Sequence, residues 1–314
     1  MDMTTVAAID CGTNSIRLLI ADVDGDEIRD IHREMRIVRL GQGVDATGRL
    51  DPEAIARTRA ALSDYAELLR ANDVTRVRMV ATSATRDAAN RDDFFAMTAE
   101  VLGAVVPGAI AEVITGIEEA ELSFLGAVAE LDSAQAPFVV VDLGGGSTEV
   151  VLGDRGVDAS FSADIGCVRL TERCLHSDPP TATEIAAARE VVRERLGEAL
   201  RLVPVERGRT WVGVAGTFTT IAALAQRMTT YDSDAIHLST VGFGELLPVC
   251  AQLIAMTRKQ RAALGPMHEG RVDVIGGGAI VVEELAHALR ERAGIETLTV
   301  SEHDILDGIA RSIA

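Results

Sequence analysis

The sequence predicts an α/β protein built from two similar lobes, and three observations predict it. A short phrase occurs twice. Ile9-Asp10-Cys11-Gly12-Thr13-Asn14-Ser15 runs into the apolar segment 16–20, and Val141-Asp142-Leu143-Gly144-Gly145-Gly146-Ser147 runs into 148–152. Strand-like apolar runs alternate with helix-period segments along both halves. With 314 residues, 47% of them hydrophobic, the chain is long enough for two domains with separate cores.

Each copy of the phrase reads as a strand ending in Asp, a turn too rich in glycine and hydroxyl residues for helix, and a second strand, hence a β-hairpin. After the first, Asp51-Pro52-Glu53 supplies an N-cap, a proline at the first helical position and an early acid. It opens an amphipathic helix through Ile55, Thr58, Leu62, Tyr65 and Leu69. A buried strand is expected over 77–81, a helix over 87–102, a short strand over 112–115 and a helix over 118–131. The polar run 132–137 reads as a linker before the second hairpin. The second half continues with strands over 138–142 and 157–161 and helices over 182–202 and 218–227. Two strand–glycine–helix joints follow, 212–217 and 274–278, each able to aim helix-terminal N–H groups at an anion or simply to pack closely. A last amphipathic helix is expected over 304–314.

Composition excludes several function classes. A net charge of −18 argues against non-specific binding to nucleic acid or to an anionic membrane, which needs a basic face. The sequence has neither a run of about 18 apolar residues nor a basic or apolar leader in Met1-Asp2-Met3-Thr4-Thr5, so a soluble cytoplasmic protein is expected. Cys11, Cys167, Cys174 and Cys250 lack zinc or Cys-x-x-Cys spacing and read as reduced, mostly buried thiols. Of the 30 basic residues only Lys259 is a lysine. No Gly-Lys-Ser/Thr loop exists, a Schiff-base lysine is not expected, and arginine must do any phosphate clamping.

Superposing the two phrases without gaps matches Asp10 with Asp142, Gly12 with Gly144, Ser15 with Ser147, and Arg17 with Glu149. One hairpin thus carries a guanidinium where the other carries a carboxylate. Arg17 can clamp phosphate while Asp142 and Glu149 hold a divalent cation; alternatively both are ordinary residues of a solvated face. In Thr82-Ser83-Ala84-Thr85-Arg86-Asp87, a hydroxyl caps a helix start, and Arg86 falls in a first turn where a cation opposes the helix dipole and an anion would relieve it. The acids of Thr115-Gly116-Ile117-Glu118-Glu119-Ala120-Glu121 read by themselves as dipole-favoured capping.

Taken together, the segments Asp10 to Arg17, Ala81 to Asp87, Gly116 to Ala120 and Asp142 to Glu149 resemble the exopolyphosphatase and guanosine pentaphosphate phosphohydrolase family. The likeness continues through Gly166-Cys167-Val168-Arg169-Leu170-Thr171-Glu172-Arg173, Asp178-Pro179-Pro180 and Arg271-Val272-Asp273-Val274-Ile275-Gly276-Gly277-Gly278, so it covers nearly the whole chain. It is closest to the short, two-domain members. Cys11, Thr13 and Ile117 depart from the family's usual residues, and none of the three is a proposed ligand of metal.

The resemblance implies a pair of actin-like, ribonuclease-H-like domains of the acetate and sugar kinase, heat-shock chaperone and actin superfamily, with the active site in an interdomain cleft. The domains would span 1–124 and 125–302, with the C-terminal helix 303–314 packing back on the first. It implies an exopolyphosphatase that hydrolyses the terminal phosphate of inorganic polyphosphate, with Glu119 as the base that activates water and Arg86 as a second catalytic residue. Gly12, Thr13, Asn14, Ser15, Arg17, Arg86, Gly144, Gly145, Gly146 and Ser147 would hold phosphate. Asp142 and Glu149, with Asp10, would hold Mg2+. The absence of a C-terminal helical extension favours shorter chains as substrate. The family further implies a homodimer. Guanosine pentaphosphate is the alternative substrate; a kinase of the same superfamily and a non-enzymatic actin-like nucleotide or polyphosphate binder are the alternatives of other classes. The scattered histidines are assigned no role.

Overall fold

The computed structural model describes residues 4–24 and 27–314; Met1–Met3, on which part of the N-terminal leader reading rests, lie outside them. The chain divides into two compact units. One comprises the residues up to Ala129 together with Ile305–Ala314, and the other Glu130–Asp304. The divisions expected at 124/125 and 302/303 lie a few residues earlier than these.

The first unit is built on strands β1 (Thr4–Cys11), β2 (Ser15–Asp24), β3 (Glu27–Ile37), β4 (Arg76–Ala81) and β5 (Ala111–Val113), in the order β3-β2-β1-β4-β5. β1–β2 and β2–β3 pair antiparallel, β1–β4 and β4–β5 parallel. Strand residues alternate between two buried layers, which is why β1 reads as an unbroken apolar run. Ala7, Ile9 and Cys11 face a core with Leu62, Tyr65 and Phe94, contributed by the helices Pro52–Ala71 and Arg91–Gly103. Val6 and Ala8 face Leu122, Ile305 and Ile309 of the helices Gly116–Val128 and Ile305–Ser312. Asp10 continues this second face by strand alternation, as does Arg17 on β2 through Leu19 and Ala21. The C-terminal helix is fixed further by Arg33, whose Nη2 donates to the buried Asp307 at 2.6 Å.

The second unit repeats the plan. Strands β6 (Phe138–Leu143), β7 (Thr148–Gly153), β8 (Val157–Ala163), β9 (Thr210–Val214), β10 (Thr240–Gly242) and β11 (Thr297–Val300) form a sheet in the order β10-β11-β9-β6-β7-β8. β8-β7-β6-β9-β11 has the same order and the same parallel and antiparallel pairings as β3-β2-β1-β4-β5; only β10 is extra. The duplicated phrase is therefore the sequence trace of a duplicated α/β sheet. The core of this unit gathers Val139, Val141, Val150 and Trp211 with residues of the helices Ala182–Leu202, Gly216–Ala225, Phe243–Ala255 and Ile275–Ala293.

Two local expectations change. The helix expected over 87–102 is two helices, Ser83–Asp87 and Arg91–Gly103. Ala88 turns extended, and Asn90 holds the backbone of Leu50 through Oδ1 and Nδ2, a contact 40 residues distant in sequence. Arg86 is thus in a last turn, where the helix dipole favours a cation, and the dipole conflict expected for it does not arise. The second joint contains no strand. Gly276, Gly277 and Gly278 form the first turn of the helix Ile275–Ala293, after a 3-10 turn at Glu269–Arg271. A Cβ at 277 would press on Thr171 Oγ1 and the Cys167 carbonyl, and one at 278 on Thr217. These glycines serve close packing, not a change of direction.

Candidate functional site

In the first unit the hairpin register places Asp10 directly opposite Arg17. Arg17 Nε and Nη2 donate to the same Asp10 oxygen at 3.0 and 2.8 Å. The pair fixes the guanidinium at the strand ends and occupies one oxygen of Asp10. Asp10 thus orients Arg17, and a metal ion at Asp10 would share its carboxylate with this ion pair. In the turn, the Gly12 amide donates to Ser15 O at 2.9 Å. That amide closes the turn itself, so Gly12 shapes a phosphate cradle instead of donating to it. The carbonyls of Thr13 and Asn14 are tied back: Thr13 O accepts from Gly41 N at 2.8 Å, and Asn14 O accepts from Val38 N and Arg39 N. The Thr13 hydroxyl is buried with no hydrogen-bond partner, and the same holds for Thr85. A buried unsatisfied hydroxyl costs about 1–3 kcal/mol.

The three acids at the start of the helix Gly116–Val128 separate by burial. Thr115 caps the helix, its hydroxyl accepting from Glu118 N at 3.2 Å. Glu121 is exposed, and Glu118 turns outward to Arg78, 2.5 Å away. Glu119 alone is buried, 7% exposed, and its Oε2 accepts from Arg86 Nη1 at 3.0 Å. The same Nη1 donates to the carbonyl of Ile114 at 3.1 Å, so Arg86 bridges the strand end and the helix start. Glu119 and Arg86, assigned separately from the sequence, form one unit. The arginine keeps the carboxylate oriented with its charge balanced.

In the second unit Asp142 stands opposite Glu149 in the equivalent register. Both are buried, at 7% and 1% exposure. Glu149 is held by Ser162, whose hydroxyl donates to Oε1 at 2.6 Å from the paired position on β8. Carboxylates directly opposite one another across a hairpin repel, whatever else each touches. A divalent cation relieves that repulsion, and hard carboxylate oxygens suit magnesium. The residues present therefore fit the metal that the sequence implies. As in the first unit, the Gly144 amide closes its turn on Ser147 O at 3.1 Å. The turn is braced from outside: Cys167 N donates to Gly144 O, and Val168 N and Arg169 N donate to Gly145 O. The N-terminus of the helix Cys167–Cys174 is thus spent on the turn and offers no anion site of its own. Gly166 permits this contact, since a Cβ there would lie inside contact distance of the Gly145 backbone.

Ser162 and the Arg86–Glu119 bond were not legible in the sequence; Ser162 lies just past the strand expected over 157–161, and only the β7–β8 register reveals its position. A further basic group also emerges, Arg271, packed against Gly216 at the first turn of the helix Gly216–Ala225 and donating from Nη1 to Thr220 at 3.0 Å. Ala215, just before this helix, adopts φ 72° and ψ 168°, a backbone region natural only to glycine. Cys11 and Cys167 are buried, and burial pushes both thiols up, Cys167 to about 11; neither is poised as a nucleophile.

The Ppx/GppA phosphatase family model matches residues 19–313. The chain belongs to the Ppx/GppA phosphatase family. Exopolyphosphatase 2 of Mycobacterium tuberculosis is 74% identical over the full length of both chains. A guanosine-5'-triphosphate,3'-diphosphate pyrophosphatase of Photobacterium profundum is 34% identical over 73% of this chain and 45% of its own length. Among solved structures, an exopolyphosphatase-like protein superposes with a TM-score of 0.95 at 43% identity, covering 99% of this chain and 98% of that one. The two-domain, actin-like α/β fold and the hydrolase class expected of a Ppx/GppA protein stand. Among the described residues no helix is long and apolar enough to cross a membrane.

Proposed function

We propose that the chain is an exopolyphosphatase that removes the terminal phosphate of inorganic polyphosphate, shorter chains being preferred. Full-length identity of 74% to a protein named Exopolyphosphatase 2 carries this reading. The buried Glu119 carboxylate, held at one oxygen by Arg86, supports the chemistry. In the proposed reaction a water oxygen bonds to the terminal phosphorus, the bond from that phosphorus to the bridging oxygen breaks, and the shortened polyphosphate leaves as the anion. Glu119 accepts the proton of the attacking water. Arg17, Asn14, Ser15 and the amides of Thr13, Gly145 and Gly146 hold phosphoryl oxygens, with Thr13 Oγ1 satisfied in the process; Gly12, Gly144 and Ser147 shape the two turns. Asp142 and Glu149 are the ligands proposed for Mg2+, which when bound supplies positive charge against the phosphoryl oxygens. We propose further a cytoplasmic homodimer.

Guanosine pentaphosphate remains a second substrate, favoured by the likeness to the guanosine pyrophosphatase. Phosphate release should be compared for short polyphosphate, long polyphosphate and guanosine pentaphosphate, with wild type and Glu119→Gln. Fastest release from short polyphosphate, abolished in the variant while its melting temperature is kept, is expected. Preference for the nucleotide would overturn the substrate assignment, and near-wild-type turnover by Glu119→Gln would overturn the base.

A further inference from the structure

A cluster of donors lies in the second unit, separate from the hairpin turns. Glu130, the first residue of this unit, places Oε1 2.7 Å from His303 Nδ1 and Oε2 3.6 Å from His237 Nε2. The three donor atoms all lie within 4.8 Å of one another, and the two imidazole rings are 4.4 Å apart, tilted by 40°. Ligand atoms of a tetrahedral zinc ion with bonds near 2.0–2.1 Å are separated by about 3.3 Å; the two Glu130 contacts lie on either side of that value but use different oxygens, so the carboxylate turns slightly to bring one oxygen to both rings. Two imidazoles and one carboxylate are a donor set suited to zinc or a neighbouring transition metal, and are softer than the carboxylates of the hairpin.

We propose that Glu130, His237 and His303 form a binding site for one Zn2+-type dication, with one position left to water. Loading has a specific structural cost. His237 Nδ1 accepts from Glu302 N at 3.2 Å, which places the proton of the neutral ring on Nε2. Coordination through Nε2 moves that proton to Nδ1, so the Glu302 amide must turn to another acceptor. That bond is long and weak, but loading also removes the Nδ1 proton by which His303 donates to Glu130 Oε1 at 2.7 Å, so metal–ligand bonds must replace both. His303, coordinating through Nδ1, carries its proton on Nε2. The chain passes between the two units at 129/130 and again at 304/305. Glu130 is the first residue of the second unit and His303 its last but one, so the ion would tie the two ends of that unit's chain together.

The test is calorimetric titration of the full-length protein with Zn2+ in excess Mg2+, alongside the Glu302 amide resonance. Wild type should bind one Zn2+, with that resonance displaced on loading. His237→Ala and His303→Ala should each weaken binding by at least about 100-fold, beyond the 10–100-fold typical of an outer-sphere partner. Both variants should keep the metal-free melting temperature within a few degrees and retain Mg2+-dependent phosphate release. Zinc should raise the melting temperature of wild type alone. Absence of one-to-one binding by wild type, or equal binding by His303→Ala, would overturn the site and leave the three groups a hydrogen-bonded clamp.

Discussion

The hairpins β1–β2 and β6–β7 share strand register, turn closure and place in their sheets, yet one sets a carboxylate against a guanidinium and the other sets two carboxylates against each other. In the first, Asp10 and Arg17 balance their own charges, and the product is a fixed, forked donor. In the second, Asp142 and Glu149 set two carboxylates opposite one another in a buried spot, the pair proposed above to hold a cation. Duplication supplied the scaffold; on the proposed reading, position 17 against 149 is the change that separates the two roles.

The largest expected effect comes from removing a carboxylate of the second pair. Glu149→Gln keeps the shape and the contact with Ser162, and should lower polyphosphate turnover by roughly 10³-fold, the scale of a lost electrostatic contributor. Steady-state phosphate release checks this. Arg17→Met leaves the buried Asp10 without its forked donor. It should destabilise the protein by about 1–3 kcal/mol and raise KM for polyphosphate more than it lowers kcat, whereas Asp10→Asn/Arg17→Met should recover most of the stability. Urea unfolding and kinetics together separate these outcomes.

The turns themselves differ in how they are braced. A Cβ at Gly12 meets only Ser15 O at 3.6 Å, but one at Gly166 collides with the Gly145 backbone. Gly166→Ala should therefore cost about 1–3 kcal/mol and most of the activity, and Gly12→Ala little of either. Thermal melts of the pair sharpen the contrast. At Ala215 the backbone already sits where glycine is at ease, and Ala215→Gly should stabilise by about 1 kcal/mol.

The smallest effect is a difference in acid sensitivity between the units. The helix Pro52–Ala71 of the first unit is side-chain capped by Asp51, and the helix Ala182–Leu202 of the second by a Thr181–Glu184 capping box. Glu184 also accepts from the amides of Thr181, His176 and Ser177, which hold its carboxyl down at about 2. A folded value below the unfolded one means stability present above about pH 4.5 and lost as pH falls toward 2. Glu184→Gln should flatten the acid limb of the stability curve between pH 5 and pH 2, followed by chemical denaturation at each pH.

Much of this was legible in local sequence. Asp51-Pro52-Glu53 announced a helix start, the 182–202 helix has the expected ends, and both expected β-hairpins form, pairing Asp10 with Arg17 in one and Asp142 with Glu149 in the other. What escaped was non-local. The break after Asp87 depends on Asn90 gripping Leu50, and the triple glycine reads locally as a turn while its cause is the close approach of Thr171 and Thr217. Within the site, acids in a helix's first turn look alike in sequence, and only burial and Arg86 single out Glu119 from Glu118 and Glu121. The Glu130–His237–His303 cluster spans over 100 residues and carries no spacing signature at all.

Division of labour between the hairpins is tested most directly by titrating Mg2+ into the polyphosphate reaction of wild type, Asp142→Asn and Arg17→Gln. The account predicts that Asp142→Asn needs at least about tenfold more Mg2+ for half-maximal activity, while Arg17→Gln keeps the wild-type Mg2+ requirement and shows its defect in KM for polyphosphate. An unchanged Mg2+ requirement in Asp142→Asn, or a shifted one in Arg17→Gln, would contradict it.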